Sequence, residues 1–285
     1  MDLTEAIQYG FLVGAAYDVF NRKLSLAPGQ SFSAGIPPNT VSYQLIASMI
    51  ANDLATDLKD SLGLVPAPVS IGLIFQSVDT GEAVVAIRGT DGILEWVQDA
   101  KFLTEPCPFL PSAGNTEDGF TDMYKSTVMD AANGSKPVAG ALSGLPWAKQ
   151  VSSLIICGHS LGGALATLLA LDVAANGSAP FNNPVAYTYA SPKTGDPQFV
   201  NVYNHMVPNT NRIANRLDLV PKLPLPPLYE HVLGLFELNP VLAVLPPKFR
   251  VKPEIPCQHF LHSYLFLLSV LAGGTLSPLD PPCVP

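Results

Sequence analysis

Between residues 154 and 166 a β-prone apolar run stops at Gly158, Ser160 follows among small residues, and an Ala/Leu-rich helical run begins at once. Gly158-His159-Ser160-Leu161-Gly162 therefore reads as strand, sharp turn, helix. Glycines two positions either side of the serine let the two elements pass closely, while a strained backbone presents the hydroxyl as a nucleophile. Outside that setting the same five residues would only turn the chain, with Ser160 as a helix N-cap.

A serine hydroxyl is a weak nucleophile near neutrality. It needs a histidine to take its proton and a carboxylate to hold that histidine's tautomer. Of five histidines, His159 would point away from an elbow serine and reads as a packing or capping residue. His205, in a helix after Pro197, and His231, in a proline-rich run, read as surface residues. His259 and His262 remain as alternative bases. Proteins with such an elbow place the acid between serine and base, which leaves Asp172, Asp196, Asp218, Glu230, Glu237 and Glu254. Asp218 is favoured by position: it follows a strand at 211–215, read as an edge strand, in a turn stiffened by Pro221. An oxyanion needs two preorganised N–H donors. Leu161, opening the helix, supplies one, and Thr90, at the end of Ala86-Ile87-Arg88-Gly89-Thr90, supplies the other. No cofactor is called for. Cys107, Cys157, Cys257 and Cys283 lack a CxxC pair or an interleaved histidine, so no metal site is expected. Cys157 reads as a buried side chain, and the other three could contain one disulfide, whose pair the sequence does not choose.

These groups need a frame. Helical spacing predicts helices over 4–21, 41–62, 117–132 and 161–175, and a loop over 28–38. β-branched runs at 69–78 and 83–87 flank Asp79-Thr80-Gly81-Glu82 and predict a hairpin. Runs at 154–157 and 185–189 read as buried strands. Strand and helix alternate, which predicts a mostly parallel sheet covered by helices on both faces. From Pro221 to Pro256 the chain turns proline-rich and apolar, giving short segments near the site. No linker divides residues 1–285, so one α/β domain is expected.

Composition narrows the partners. Hydrophobic residues make up 48% and charged ones 13%, which favours a large apolar pocket or surface and a greasy ligand. A net charge of −8 without a Lys/Arg cluster argues against nucleic acid and disfavours an anionic membrane surface. The apolar run at 264–272 is too short for a membrane span. The first residues lack a basic n-region, so no signal peptide is expected in this numbering.

Taken in order, the motifs resemble the class 3 lipase family. They are Ile87-Arg88-Gly89-Thr90; Glu95-Trp96-Val97-Gln98-Asp99; Asp118-Gly119-Phe120; the elbow; Tyr187-Thr188-Tyr189-Ala190-Ser191-Pro192-Lys193-Thr194-Gly195-Asp196; Arg212-Ile213 through Asp218-Leu219-Val220-Pro221; and His259-Phe260-Leu261-His262-Ser263-Tyr264-Leu265. Ala190 stands where the family usually has Gly, and Lys193 where it has Arg. The resemblance implies an α/β-hydrolase fold with a helical lid at about 91–105, bearing Ile93, Leu94 and Trp96. It implies Ser160, Asp218 and His259 as the catalytic set, with His262 as the alternative base and Thr90 and Leu161 at the oxyanion. It also implies a secreted ester hydrolase that meets a lipid or ester substrate at an oil–water interface. A feruloyl or short-chain carboxylesterase on the same scaffold, or an inactive lipase-like binding protein, are the rival readings.

Overall fold

The computed structural model describes residues 1–52, 68–90, 102–130, 136–239 and 250–284. Its helices are α1 (Leu3–Asn21), α2 (Asp118–Ser126), α3 (Val138–Ala141), α4 (Leu161–Asn176), α5 (Pro197–Met206), α6 (Ile255–His259) and α7 (Leu261–Ala272). Its strands are β1 (Ser31–Ile36), β2 (Asn39–Ala51), β3 (Val69–Ser77), β4 (Ala83–Ile87), β5 (Thr104–Pro106), β6 (Asn115–Glu117), β7 (Val128–Asp130), β8 (Leu154–His159), β9 (Val185–Tyr189), β10 (Thr210–Asn215) and β11 (Leu235–Leu238).

The main sheet runs β1-β2-β3-β4-β8-β9-β10-β11, with β7 added beside β2. The β1, β2, β3 and β4 pairings are antiparallel, and β4, β8, β9, β10 and β11 are parallel. The central strands are buried along their whole length, because helices cover both faces. On one face α1 and α7 pack together over Leu73, Val84, Cys157, Tyr189 and Ile213. On the other lie α2, α4 and α5, over Ile74, Val85, Ile156 and Ala186. Helix α4 buries nearly every side chain from Leu161 to Val173, as expected of a helix apolar all round. No helix among the described residues is long and apolar enough to cross a membrane.

The expected helices over 4–21 and 161–175, the 69–87 hairpin and the buried strands appear as α1, α4, β3-β4, β8 and β9. Four expectations are corrected. The run from 41 forms the long strand β2, and 53–62 lies outside the described residues. Register shifts between Leu45 and Ala47 and between Met49 and Ile50 break the two-residue alternation and bury Leu45, Ile46, Met49 and Ala51. A bulged strand so spaced mimics a helical stripe. The loop expected over 28–38 contains β1, in which Phe32, Ala34 and Ile36 alternate with exposed or less buried neighbours. The helix beginning near 117 stops at Ser126, and 128–130 joins the sheet as β7. Finally, β10 is no edge, since β11 pairs outside it.

Candidate active site

Ser160 sits between β8 and α4 with φ 57° and ψ −127°, a region that non-glycine residues rarely occupy. Two bonds hold it there: its N–H donates to the Tyr189 carbonyl at 2.8 Å, and its carbonyl accepts from Gly163 N–H at 2.8 Å. Side chains at the flanking glycines would abolish the turn. A Cβ on Gly158 would fall 2.0 Å from the Gly162 carbonyl oxygen, and one on Gly162 would fall 2.4 Å from the Ile87 and Arg88 oxygens. The same close approach lays the end of β4 against the start of α4. A Cβ on Gly89 would fall 2.8 Å from the Ser160 Cβ, so the chain just beyond β4 runs beside the serine, while Leu161 opens α4 directly after it.

His259 closes α6 and bridges the other two groups. Its Nδ1 lies 2.8 Å from Asp218 Oδ2 and its Nε2 2.9 Å from Ser160 Oγ. An ionised Asp218 only accepts, so the proton belongs on Nδ1 and the Nε2 lone pair faces the serine hydroxyl. All three side chains are buried, and a relay shielded from water keeps its electrostatic strength. His262 begins the exposed side of α7; its Nδ1 lies 2.7 Å from Asp280, and its side chain is 52% exposed. The hydrogen bond to Asp280 holds its imidazole above the ordinary range. It does not touch Ser160.

Asp218 is held from three directions. Oδ1 accepts from Val220 N–H at 3.0 Å, while Oδ2 also accepts from the Tyr264 hydroxyl at 2.8 Å. Burial, then the Asp218 charge, pushes the Tyr264 hydroxyl well up, so it remains a donor. Tyr264 in turn accepts from Asn215 N–H at 3.0 Å. The Asn215 amide donates to the main-chain and side-chain oxygens of Gln258 at 2.9 and 2.8 Å. The end of β10, carrying the acid, is thereby tied to α6, carrying the base. A disulfide from Cys257 to Cys283 fixes α6 from behind, and Cys107 and Cys157 are buried thiols.

A second chain of bonds runs behind the serine. Gly89 N–H donates to the Tyr17 hydroxyl at 2.8 Å, Tyr17 lies 2.8 Å from His159 Nδ1, and His159 Nε2 lies 2.8 Å from the His259 carbonyl oxygen. That carbonyl can only accept, so His159 carries its proton on Nε2 and Tyr17 donates to Nδ1. Burial, then the neighbouring His259, keeps His159 well below the ordinary histidine range, hence neutral.

His159 bonds the Tyr17 hydroxyl and the His259 carbonyl, and so holds the main chain of His259. His205 is exposed on α5. His231 corrects the sequence reading: it is half-buried, donates to the Pro221 carbonyl, and is pushed down to about 3 by desolvation and by Arg212. Tyr17 and Asn215 carried no sequence signal, whereas Tyr264 stood within the His259 motif. Ile93, Leu94 and Trp96, expected in the lid, lie outside the described residues.

Serine, acid and base in that chain order, gathered at one end of a mostly parallel sheet between two helical layers, define the α/β-hydrolase fold. Within it, the family profile for lipase (class 3) matches residues 84–227, and the chain belongs to that family. It is 31% identical over 143 residues to secreted mono- and diacylglycerol lipase 1 of Fusarium solani, covering 50% of this chain and 39% of that protein. It is 30% identical over 274 residues to phospholipase A1-II 6 of Oryza sativa subsp. japonica, covering 79% of this chain and 66% of that one. The chain thus spans less than two thirds of each of these two relatives. Lip2 lipase of Yarrowia lipolytica shares the fold, with a TM-score of 0.58 at 17% identity, over 82% of this chain and 78% of that structure.

Proposed function

We propose that the chain is a carboxylic ester hydrolase acting on acylglycerols through an acyl-enzyme. The carrying observation is the Ser160-His259-Asp218 relay, with contacts of 2.9 and 2.8 Å. Ser160 Oγ attacks the ester carbonyl as its proton passes to His259 Nε2, and the N–H groups of Leu161 and Thr90 hold the oxyanion. Collapse expels the alcohol, which takes the proton back from His259. Water, deprotonated by the same nitrogen, then frees the acid and restores Ser160. Asp218 stabilises the imidazolium in both halves. The names of the relatives, mono- and diacylglycerol lipase and phospholipase A1, support a lipid ester over a soluble one. The complete burial of Ser160 fits a site that must open before a lipid ester can reach the hydroxyl.

Ser160→Ala should leave a folded protein whose ester hydrolysis falls by about 10⁶, the scale seen when a catalytic serine is lost elsewhere. Near-full activity would overturn the reading. A panel of emulsified triglycerides, phospholipids and soluble p-nitrophenyl esters assigns the substrate. Preference for acetate or feruloyl esters without gain at an interface would favour the carboxylesterase instead, and no labelling of Ser160 by a fluorophosphonate would favour an inactive binding protein.

A further inference from the structure

The turn that follows Asp218 runs short of its own hydrogen-bond donors. The main-chain N–H groups of Val220, Lys222 and Leu223 are used within it, on Asp218 Oδ1 and on the carbonyls of Leu219 and Val220. Pro221, Pro224, Pro226 and Pro227 have no N–H to give. The four successive carbonyls from Pro221 to Pro224 find their donors outside the turn.

One residue supplies three of them. Lys193 Nζ donates to the carbonyls of Lys222 and Pro224 at 3.1 and 2.8 Å, and the Lys193 main-chain N–H donates to that of Leu223 at 2.8 Å. His231 bonds the fourth, on Pro221. An ammonium carries three donors and no acceptor, which suits a cluster of carbonyls at the end of the short 3₁₀ turn Val220–Lys222. No carboxylate lies within ion-pair reach of Lys193 among the described residues, and burial, then Arg212, lowers it from the ordinary lysine range. The half-buried ammonium serves the turn and not an ion pair.

The same stretch of chain also reaches the nucleophile. The Tyr189 carbonyl accepts from Ser160 N–H at 2.8 Å, and Ala190 N–H donates to the Ile213 carbonyl at 3.0 Å, on the strand that leads to Asp218. Residues 189–193 therefore hold Ser160 at one end and the turn behind Asp218 at the other. Lys193 has no hydrogen bond to Asp218 or His259, so its effect on the relay passes through the turn.

We propose that Lys193 is a positioning residue for the acid: it clamps the 220–224 turn, so that Val220 N–H keeps its bond to Asp218 Oδ1 and Oδ2 stays aimed at His259 Nδ1. The proposal rests on the Ser160-His259-Asp218 reading and adds a residue outside the relay that sets its geometry. Without the ammonium the carbonyls of Lys222 and Pro224 lose a donor, the turn loosens, and the carboxylate loses its fixed direction. A misplacement of about 1 Å can cost about 100-fold in rate.

Kinetics of the full chain on p-nitrophenyl butyrate test it. Lys193→Met removes the side-chain donors and keeps the apolar stem; kcat should fall about 30-fold with KM within about twofold. Lys193→Arg, which returns donors to both carbonyls, should recover most of the rate. The decisive arm is a cycle with Asp218→Asn, read as the rate of Ser160 labelling by a fluorophosphonate so that spontaneous ester hydrolysis does not intrude. Asp218→Asn alone should cost about 10⁴, and on that background Lys193→Met should cost less than about twofold, because it acts through the acid. Urea midpoints report whether each variant folds, and Lys193→Gln, with donors on a shorter stem and about a tenfold loss, stands in if Lys193→Met does not. Parental kcat in Lys193→Met, a change confined to KM, or losses that multiply in the double variant would overturn the proposal. Failure of the hydrolase reading is seen separately, as absent turnover and absent Ser160 labelling in the unaltered chain.

Discussion

His159 Nε2 donates to the main-chain carbonyl of His259 at 2.8 Å, so the residue before Ser160 fixes the backbone of His259. Tyr17 orients His159 and also accepts from Gly89, beside the oxyanion loop. Tyr17→Phe takes a bond from two buried polar groups, Gly89 N–H and His159 Nδ1, a loss worth about 1–3 kcal/mol for each. Urea unfolding should show a deficit of that size. Turnover of p-nitrophenyl butyrate should fall about tenfold in kcat with KM little changed, since geometry and not ground-state binding is lost.

The two neighbouring histidines separate cleanly. His259→Ala removes the group between Ser160 and Asp218 and should reduce hydrolysis to the level of Ser160→Ala, because members of one relay are not additive. His262→Ala removes a half-exposed partner of Asp280, and kcat should stay within about threefold. The reverse result would exchange the assignment.

Glu117 makes stability depend on pH. It caps α2, accepting from Phe120 N–H at 2.8 Å, and burial pushes its carboxyl up to about 7. Because the folded value exceeds the unfolded one, its stabilising contribution is complete below about pH 4.5 and is lost as pH rises through 7. Glu117→Gln keeps an acceptor for the cap and removes the titration. Urea midpoints should show the variant more stable than the parent at pH 8, by up to about 3 kcal/mol, with the gap closing toward pH 4.5.

The disulfide acts on the base directly. Cys257 lies two residues before His259, and its bond to Cys283 closes a separation of 26 residues. Chain-entropy arithmetic gives about 3.5 kcal/mol for such a loop. The Cys257→Ser, Cys283→Ser double variant should unfold at correspondingly lower urea. Its kcat should fall further than that of Cys107→Ser, whose thiol lies away from the relay.

Local chemistry in this chain is legible from local sequence. Ser160, Leu161 and the β8-α4 frame are written in thirteen consecutive residues, and the strand-end position of Asp218 follows from its neighbours. What escaped is what depends on pairing across the fold. Register shifts in β2 make a strand resemble a helix in its spacing. Nothing in α1 separates Tyr17 from the core residues on the same helix. His231 lies in a run whose prolines suggest surface, yet it is half-buried and bonded to the Pro221 carbonyl. The choice between His259 and His262, which the resemblance made for His259, turns in space on the three-residue advance from the end of α6 to the exposed side of α7.

The packing of α1 against α7 also bears on what the smallest working version of this protein must contain. The stretch that the family profile matches, 84–227, holds Ser160 and Asp218, but neither His259 nor Tyr17. The matched stretch and the stretch that the Ser160-His259-Asp218 relay needs are therefore different lengths of chain. A fragment trimmed to the recognisable region would keep the nucleophile and lose the group that activates it, and one trimmed only of its first helix would keep the relay and lose the strut that holds the base.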